Sequence, residues 1–139
     1  MRRAWLASTL ALAACAGGIY FSDFTVDTAE PGYTARAQFD DIKRYALERG
    51  LHVTGEGRDF AKFELDPANS LEMRIDGGRV QLTLARISSG EGYTEREKQE
   101  FQDALEARLR ERTGHIVRVR FAGDRERPRS NVTFPGGFP

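Results

Sequence analysis

The chain has 139 residues, a length that fits one domain. Its 21 basic residues balance 21 acidic ones, which argues against the basic excess of a nucleic-acid binder. A hydrophobic share of 40% and an aromatic share of 10% argue against a disordered chain, and a single cysteine excludes an internal disulfide.

The first residues divide cleanly. Arg2 and Arg3 form a positive start, Ala4 to Ala11 is apolar apart from Ser8 and Thr9, and Leu12-Ala13-Ala14-Cys15-Ala16-Gly17 follows. A positive start, a short apolar run and small residues before a cut are the parts of a secretory signal. The segment Leu12-Ala13-Ala14-Cys15 resembles the lipobox of bacterial lipoprotein precursors. That pattern is a branched apolar residue, two small residues and then cysteine. The resemblance covers residues 1–16 only. It implies that Cys15 carries the lipid, that the Ala14–Cys15 bond is cut, and that acyl chains hold the mature chain on a membrane. Ala16 in place of Asp resembles members directed to the outer membrane, facing the periplasm. Each buried methylene contributes about 0.8 kcal/mol, and stable anchoring takes more than one chain. A different reading is an uncleaved spanning helix, because residues 4–22 carry no charge. Ser8, Thr9, Gly17, Gly18 and Ser22 weaken it against the roughly 20 apolar residues a span needs.

The expected organisation is a signal peptide over 1–14, a lipidated N-terminus and tether over 15–34, an α+β domain over 35–123 and a mobile polar tail over 124–139. Tyr20, Phe21, Phe24 and Val26 are apolar for a spacer, so residues 19–33 read equally as an edge strand. From Ala35 to Arg49, the spacing of Phe39, Ile42 and Ala46 predicts a helix that Gly50 stops. Leu51 and Val53 begin strand patterns, a loop over Gly55–Asp59 interrupts, and Ala61, Phe63 and Leu65 alternate with polar residues. Leu71, Met73 and Ile75 do the same, and so do Val80, Leu82 and Leu84. Gly77-Gly78 between the last two runs predicts a two-residue hairpin turn. Apolar residues on one side of each strand predict an antiparallel sheet covered on one face.

Thr94 and Glu97 form a capping-box pattern at the start of a second helix. Phe101, Ala104, Leu105 and Leu109 make its expected buried stripe, and Glu106 and Arg110 stand at pairing distance. Thr113-Gly114 ends the helix, and His115 to Phe121 reads as a last strand. The expected fold is therefore α+β, a two-layer sandwich with a mainly antiparallel sheet of four to five strands and two helices on one face.

Chemistry is sparse in this sequence. Metal sites need clustered ligands, and the only histidines, His52 and His115, stand far apart; no metal and no cofactor is expected. Asp40 and Asp41 are neighbours on a helix and do not face each other. Glu56 and Asp59 would need a cleft to act on a glycoside. Ser88, Ser89 and Ser130 lie in no nucleophile elbow. The loop Ser88–Thr94 precedes a helix, but Glu91 opposes an anion there. Residues 115–139 hold five arginines against Asp124 and Glu126. The expected anionic-partner surface is Arg74, Arg118, Arg120, Arg125, Arg127 and Arg129.

The expectation is a non-enzymatic envelope lipoprotein on a membrane, acting as a binding or adaptor module. Its partner would be a protein, a lipid headgroup or the cell wall, not nucleic acid. The alternatives are a small ligand-binding protein or enzyme with a pocket between sheet and helices, and a single-span membrane protein.

Overall fold

The computed structural model describes residues 17–128. The elements are β1 (Gly18–Asp27), α1 (Ala35–Glu48), β2 (His52–Gly57), β3 (Phe60–Asp66), β4 (Asn69–Asp76), β5 (Arg79–Ser88), α2 (Glu95–Thr113) and β6 (Arg118–Pro128). The strands form one antiparallel sheet in the order β2-β3-β4-β5-β1-β6. Both helices pack on the same face. The α+β layering with one face covered is therefore as expected, but the sheet has six strands rather than four or five.

The core sits between sheet and helices. Phe24, Phe39, Phe63, Met73 and Leu82 are almost wholly shielded, and burying side chains of this size contributes about 1.5–3 kcal/mol each. The predicted stripe of α1 holds: Phe39, Ile42 and Ala46 are buried. Thr34 caps this helix by accepting from the Ala37 N–H at 3.2 Å. The capping box of α2 is present, with Thr94 and Glu97 each satisfying the other's N–H. Gly77 and Gly78 both take positive φ, 60° and 77°, in the β4–β5 turn, the conformation that such a tight hairpin demands.

Several boundaries differ from expectation. The tether assigned to residues 15–34 contains β1, which pairs with β5 on one side and β6 on the other. The loop over Gly55–Asp59 is mostly strand, because a bulge between Val53 and Gly55 lets β2 run on to Gly57. The last strand does not stop at Phe121, and the tail does not start at residue 124. Strand β6 runs to Pro128, which pairs with Gly18.

Two details of α2 also change. Ala104 is exposed, not part of the buried stripe. Glu106 does not form an ion pair with Arg110; it accepts the Val119 N–H at 2.7 Å, while Gln102 donates to the Val119 carbonyl at 2.7 Å. Helix α2 thereby covers part of the outer edge of β6, where unpaired backbone groups would otherwise recruit another strand.

Candidate functional site

Helices α1 and α2 run antiparallel and meet where Arg108 lies over the Tyr45 ring at 5.5 Å and Arg112 pairs with Glu48. Beyond that contact they part. The N-terminal half of α2 leans toward β1 and β6, where Phe101 packs on Phe24 with ring centres 5.0 Å apart. A groove of about 490 Å³ opens between the helices, with Leu71 and Leu84 on its floor. Ala104 lines it, which explains why that residue is exposed.

A polar cluster closes the floor at one end. Arg86 makes a two-point contact with Glu97, at 3.1 and 2.6 Å, and its Nε donates to Asn69 at 3.0 Å. Its guanidinium lies 4.2 Å from the centre of the Tyr93 ring. The Tyr93 hydroxyl is 2.9 Å from Asn69 Oδ1 and 3.0 Å from the Ala85 carbonyl. The Arg86 guanidinium, with the Thr94 N–H, holds the Glu97 carboxyl down at about 2. Burial pushes the Tyr93 hydroxyl up to about 12, with Arg86 opposing. Every member of the cluster is engaged, so it braces the groove and offers no free acid or base.

The second candidate is the uncovered face of the sheet. A bulge in β6, where Gly123 has φ of 144°, shifts the register between Asp23 and Phe24 of β1. The extra residue, Ala122, reverses which side each later side chain faces. Arg125 and Arg127 consequently share the uncovered face with Arg118 and Arg120, while Asp124 and Glu126 turn to the helix side. Carboxylates of β1 neutralise part of this stripe. Arg120 reaches Asp27 at 2.9 Å, and Arg125 reaches Asp23 at 2.6 Å while lying 4.7 Å over the Phe21 ring. Burial raises the Asp23 carboxyl, but Arg125 and Thr83 outweigh it and the net shift is downward. Arg118 and Arg127 have no carboxylate partner among the described residues. Arg74 shares the face but not the stripe. It lies in one row with Gln81, Thr25 and Arg120, three strand spacings from the last of these, or about 14 Å. Arg129, Ala14 and Cys15 lie outside the described residues.

The remaining candidates separate. His52 begins β2 at one edge of the sheet, whereas His115 lies in the connection before β6, which starts at Arg118 rather than at His115, by the other edge. His115 stacks on Tyr33 at 3.9 Å and meets Glu30 at 2.9 Å, away from the groove. Its contact, with the Ile116 N–H, lowers the Glu30 carboxyl. Glu56 pairs with Lys43 at 2.6 Å and Asp59 with Arg36, so these carboxylates face no common cleft. Asp40 lies 3.8 Å from Arg36, and Asp41 accepts from Tyr33 at 2.8 Å. No group of three or more ligating side chains occurs among the described residues. Ser88 closes its own loop by accepting from the Gly90 and Glu91 N–H groups.

One cluster had no signal in the sequence. Lys98 is only 3% exposed and lies between Glu95 at 2.7 Å and Asp124 at 2.9 Å, with the Phe121 ring 4.3 Å away. Buried Ser22 donates to Asp124 at 2.6 Å. The hydrogen bonds it donates to Glu95 and Asp124 raise the Lys98 ammonium, so it stays charged. A charged lysine is no base for Ser22, and the trio fastens α2 to β1 and β6.

The fold and these sites define a two-layer α+β domain with an apolar inter-helix groove and a basic edge stripe. Comparison with known protein families finds no match for the chain, and comparison with curated proteins finds none either.

Proposed function

We propose that this chain is a lipid-anchored bacterial envelope protein, held by acyl chains on Cys15, whose domain is a non-enzymatic binding module. The observation that carries this reading is where β1 begins. Gly18–Ser22 belong to a central strand. An uncleaved helix drawn from the uncharged stretch 4–22 is therefore left with residues 4–17, short of the roughly 20 that a span requires. No helix among the described residues is long and apolar enough to cross a membrane. The lipobox-like Leu12-Ala13-Ala14-Cys15 supplies the alternative anchor. Cys15 stands two positions before Gly17 in the sequence, so an acylated Cys15 would lie close to the domain, and Ala16 in place of Asp supports an outer-membrane location facing the periplasm.

The basic stripe of β6 supports the binding role. Arg118, Arg120, Arg125 and Arg127 present guanidinium groups on one exposed row, suited to carboxylates or phosphates of an envelope partner. Among the described residues no nucleophile and base stand together in a cleft, which favours a binder over an enzyme.

Intact mass of the membrane-extracted protein tests the anchor. The expected mass lacks residues 1–14 and gains two or three acyl chains. A Cys15→Ser chain is expected to leave the membrane fraction. If it matures and fractionates like the parent, the anchor reading fails. An Arg118→Glu, Arg120→Glu chain is expected to lose proteins or wall fragments that co-purify with the parent, and unchanged recovery rejects the stripe.

A further inference from the structure

We propose that the groove between α1 and α2 binds a long-chain fatty acid, with the alkyl chain along Leu71 and Leu84 and the carboxylate at Arg49. The groove has the chemistry for it. Its volume, about 490 Å³, is that of a small-ligand site. Leucines floor it, and Tyr45 and Phe101 form walls on either side. Apolar surface left between two splayed helices is costly unless something covers it.

The rim supplies the charge. Arg49 extends from the end of α1, 5.9 Å from the Tyr45 ring, and no carboxylate pairs with it among the described residues. The acidic groups on the rim are otherwise engaged. Glu97 holds Arg86, Glu100 holds Arg96 at 3.0 Å, and Asp66 accepts from the N–H groups of Ala68 and Asn69. Arg49 donates to the neutral Tyr45 hydroxyl at 3.4 Å, so the uncompensated charge beside the apolar trough is a cation, which selects an anionic head on an apolar body over a neutral or cationic ligand.

The location points to the source. Asn69, Arg86, Tyr20 and Glu126 stand in one row across β4, β5, β1 and β6. Gly18, Ser88 and Pro128 stand in the row two residues further on. The polar end of the groove therefore lies at the end of the sheet from which both ends of the chain depart. If Cys15 carries the anchor, this end faces the bilayer, and the ligand is drawn from it. That last step rests on the anchor reading; the groove chemistry does not.

The test uses the full chain in phosphatidylcholine nanodiscs with palmitic acid carrying a diazirine in its chain. Ultraviolet-dependent adducts are expected on peptides containing Leu51, Leu65 or Phe101. Ala104 is exposed, so Ala104→Trp plugs the groove without filling the core, and it should abolish these adducts. Leu65, 44% exposed, gives a second variant in Leu65→Glu, with the same expected loss. Arg49→Glu should weaken labelling about tenfold, as for one charge-assisted contact. Adducts that persist in the Ala104→Trp and Leu65→Glu chains, or that fall only elsewhere, overturn the proposal. Labelling that emerges only when the chain is cut after Pro128 makes residues 129–139 the occupant and also overturns it. Groove adducts in a Cys15→Ser chain uphold the site even where the anchor reading fails.

Discussion

Lys98 shows how a single side chain can hold a layer together through charge. Its stem is shielded by α2 and β6, and its ammonium is satisfied by two carboxylates that are themselves largely open to water. Breaking such a contact is asymmetric. Removing Asp124 leaves a shielded ammonium with one partner fewer and leaves Ser22 without its acceptor. Asp124→Ala is expected to cost about 1–3 kcal/mol in urea unfolding. Lys98→Met keeps the apolar stem and frees two carboxylates that water can reach, so its cost should be smaller. A larger loss from Lys98→Met than from Asp124→Ala would show that the ion contact itself dominates.

Glu97 carries the pH dependence at the same scale. Its ordinary value is 4.5, and Arg86 first, then the Thr94 N–H, depresses it to about 2 in the folded chain. A depressed carboxyl stabilises the fold fully above its unfolded value, and the contribution fades as pH falls through the folded one. The side chain is 38% exposed, so solvent screening reduces the effect. The stability difference between the parent and Glu97→Gln is expected to be largest near neutral pH and to shrink between about pH 4.5 and 2. A difference that stays constant over that window would place the contribution of Glu97 outside its charge.

At the scale of elements, the helices and the β3–β4–β5 meander were legible because their apolar residues keep strict periods. Strand β1 was legible only as one of two readings, and then as an edge strand rather than one between β5 and β6, because its pattern is broken at both faces. Ser22 occupies a core-facing position, made tolerable by Asp124, and Phe21 lies on the uncovered face beneath Arg125. Strand β6 was cut short for a related reason. Asp124-Arg125-Glu126-Arg127 reads as a solvated tail, although its alternating signs have the period of a strand. The bulge was invisible beforehand, and without it the basic stripe would divide between the two faces. The candidate surface was thus partly legible as charge, while the groove had no signature at all. It arises from the divergence of two helices, not from any residue pattern.

The bulge gives a sharp test. Deleting Ala122 removes the extra residue while Asp23 still pairs with Gly123 and Ser22 with Asp124, so Arg125 and Arg127 keep the uncovered face and Asp124 keeps Lys98. The deletion is expected to be tolerated, with a melting temperature within several degrees of the parent's, as a change of about 1 kcal/mol or less gives for a domain of this size. A chain that melts far lower would show that β6 needs the bulge itself and not only the facing it sets. Gly17 is constrained differently. A Cβ there would stand 2.2 Å from the Ser88 carbonyl oxygen, which is backbone and cannot step aside. Gly17→Ala should therefore loosen the first rung of β1, seen as faster amide exchange at Gly18 and Ile19.

Across the whole molecule, β1 is first in the chain yet sits fifth in the sheet, and its partners come late. Val26 pairs with Val80, 54 positions on, and Gly18 with Pro128, 110 positions on. Strands β2 to β5, by contrast, form a meander of neighbours. Distant contacts carry a larger loop-closure cost before they repay it, so the meander with α1 should form first and β1 should dock with β6 afterwards. If the chain is exported as proposed, that order has a use: the first strand stays unpaired until nearly the whole domain has crossed, and the chain remains threadable. Substitutions divide accordingly. Leu82→Ala in β5 should cost about 2–5 kcal/mol and slow refolding, since its contacts with Met73 are made early. Val26→Ala in β1 should cost about 2 kcal/mol and mainly accelerate unfolding. Stopped-flow refolding in urea reads both. If Val26→Ala slows folding by the full measure of its stability loss, β1 belongs to the nucleus and the order is reversed.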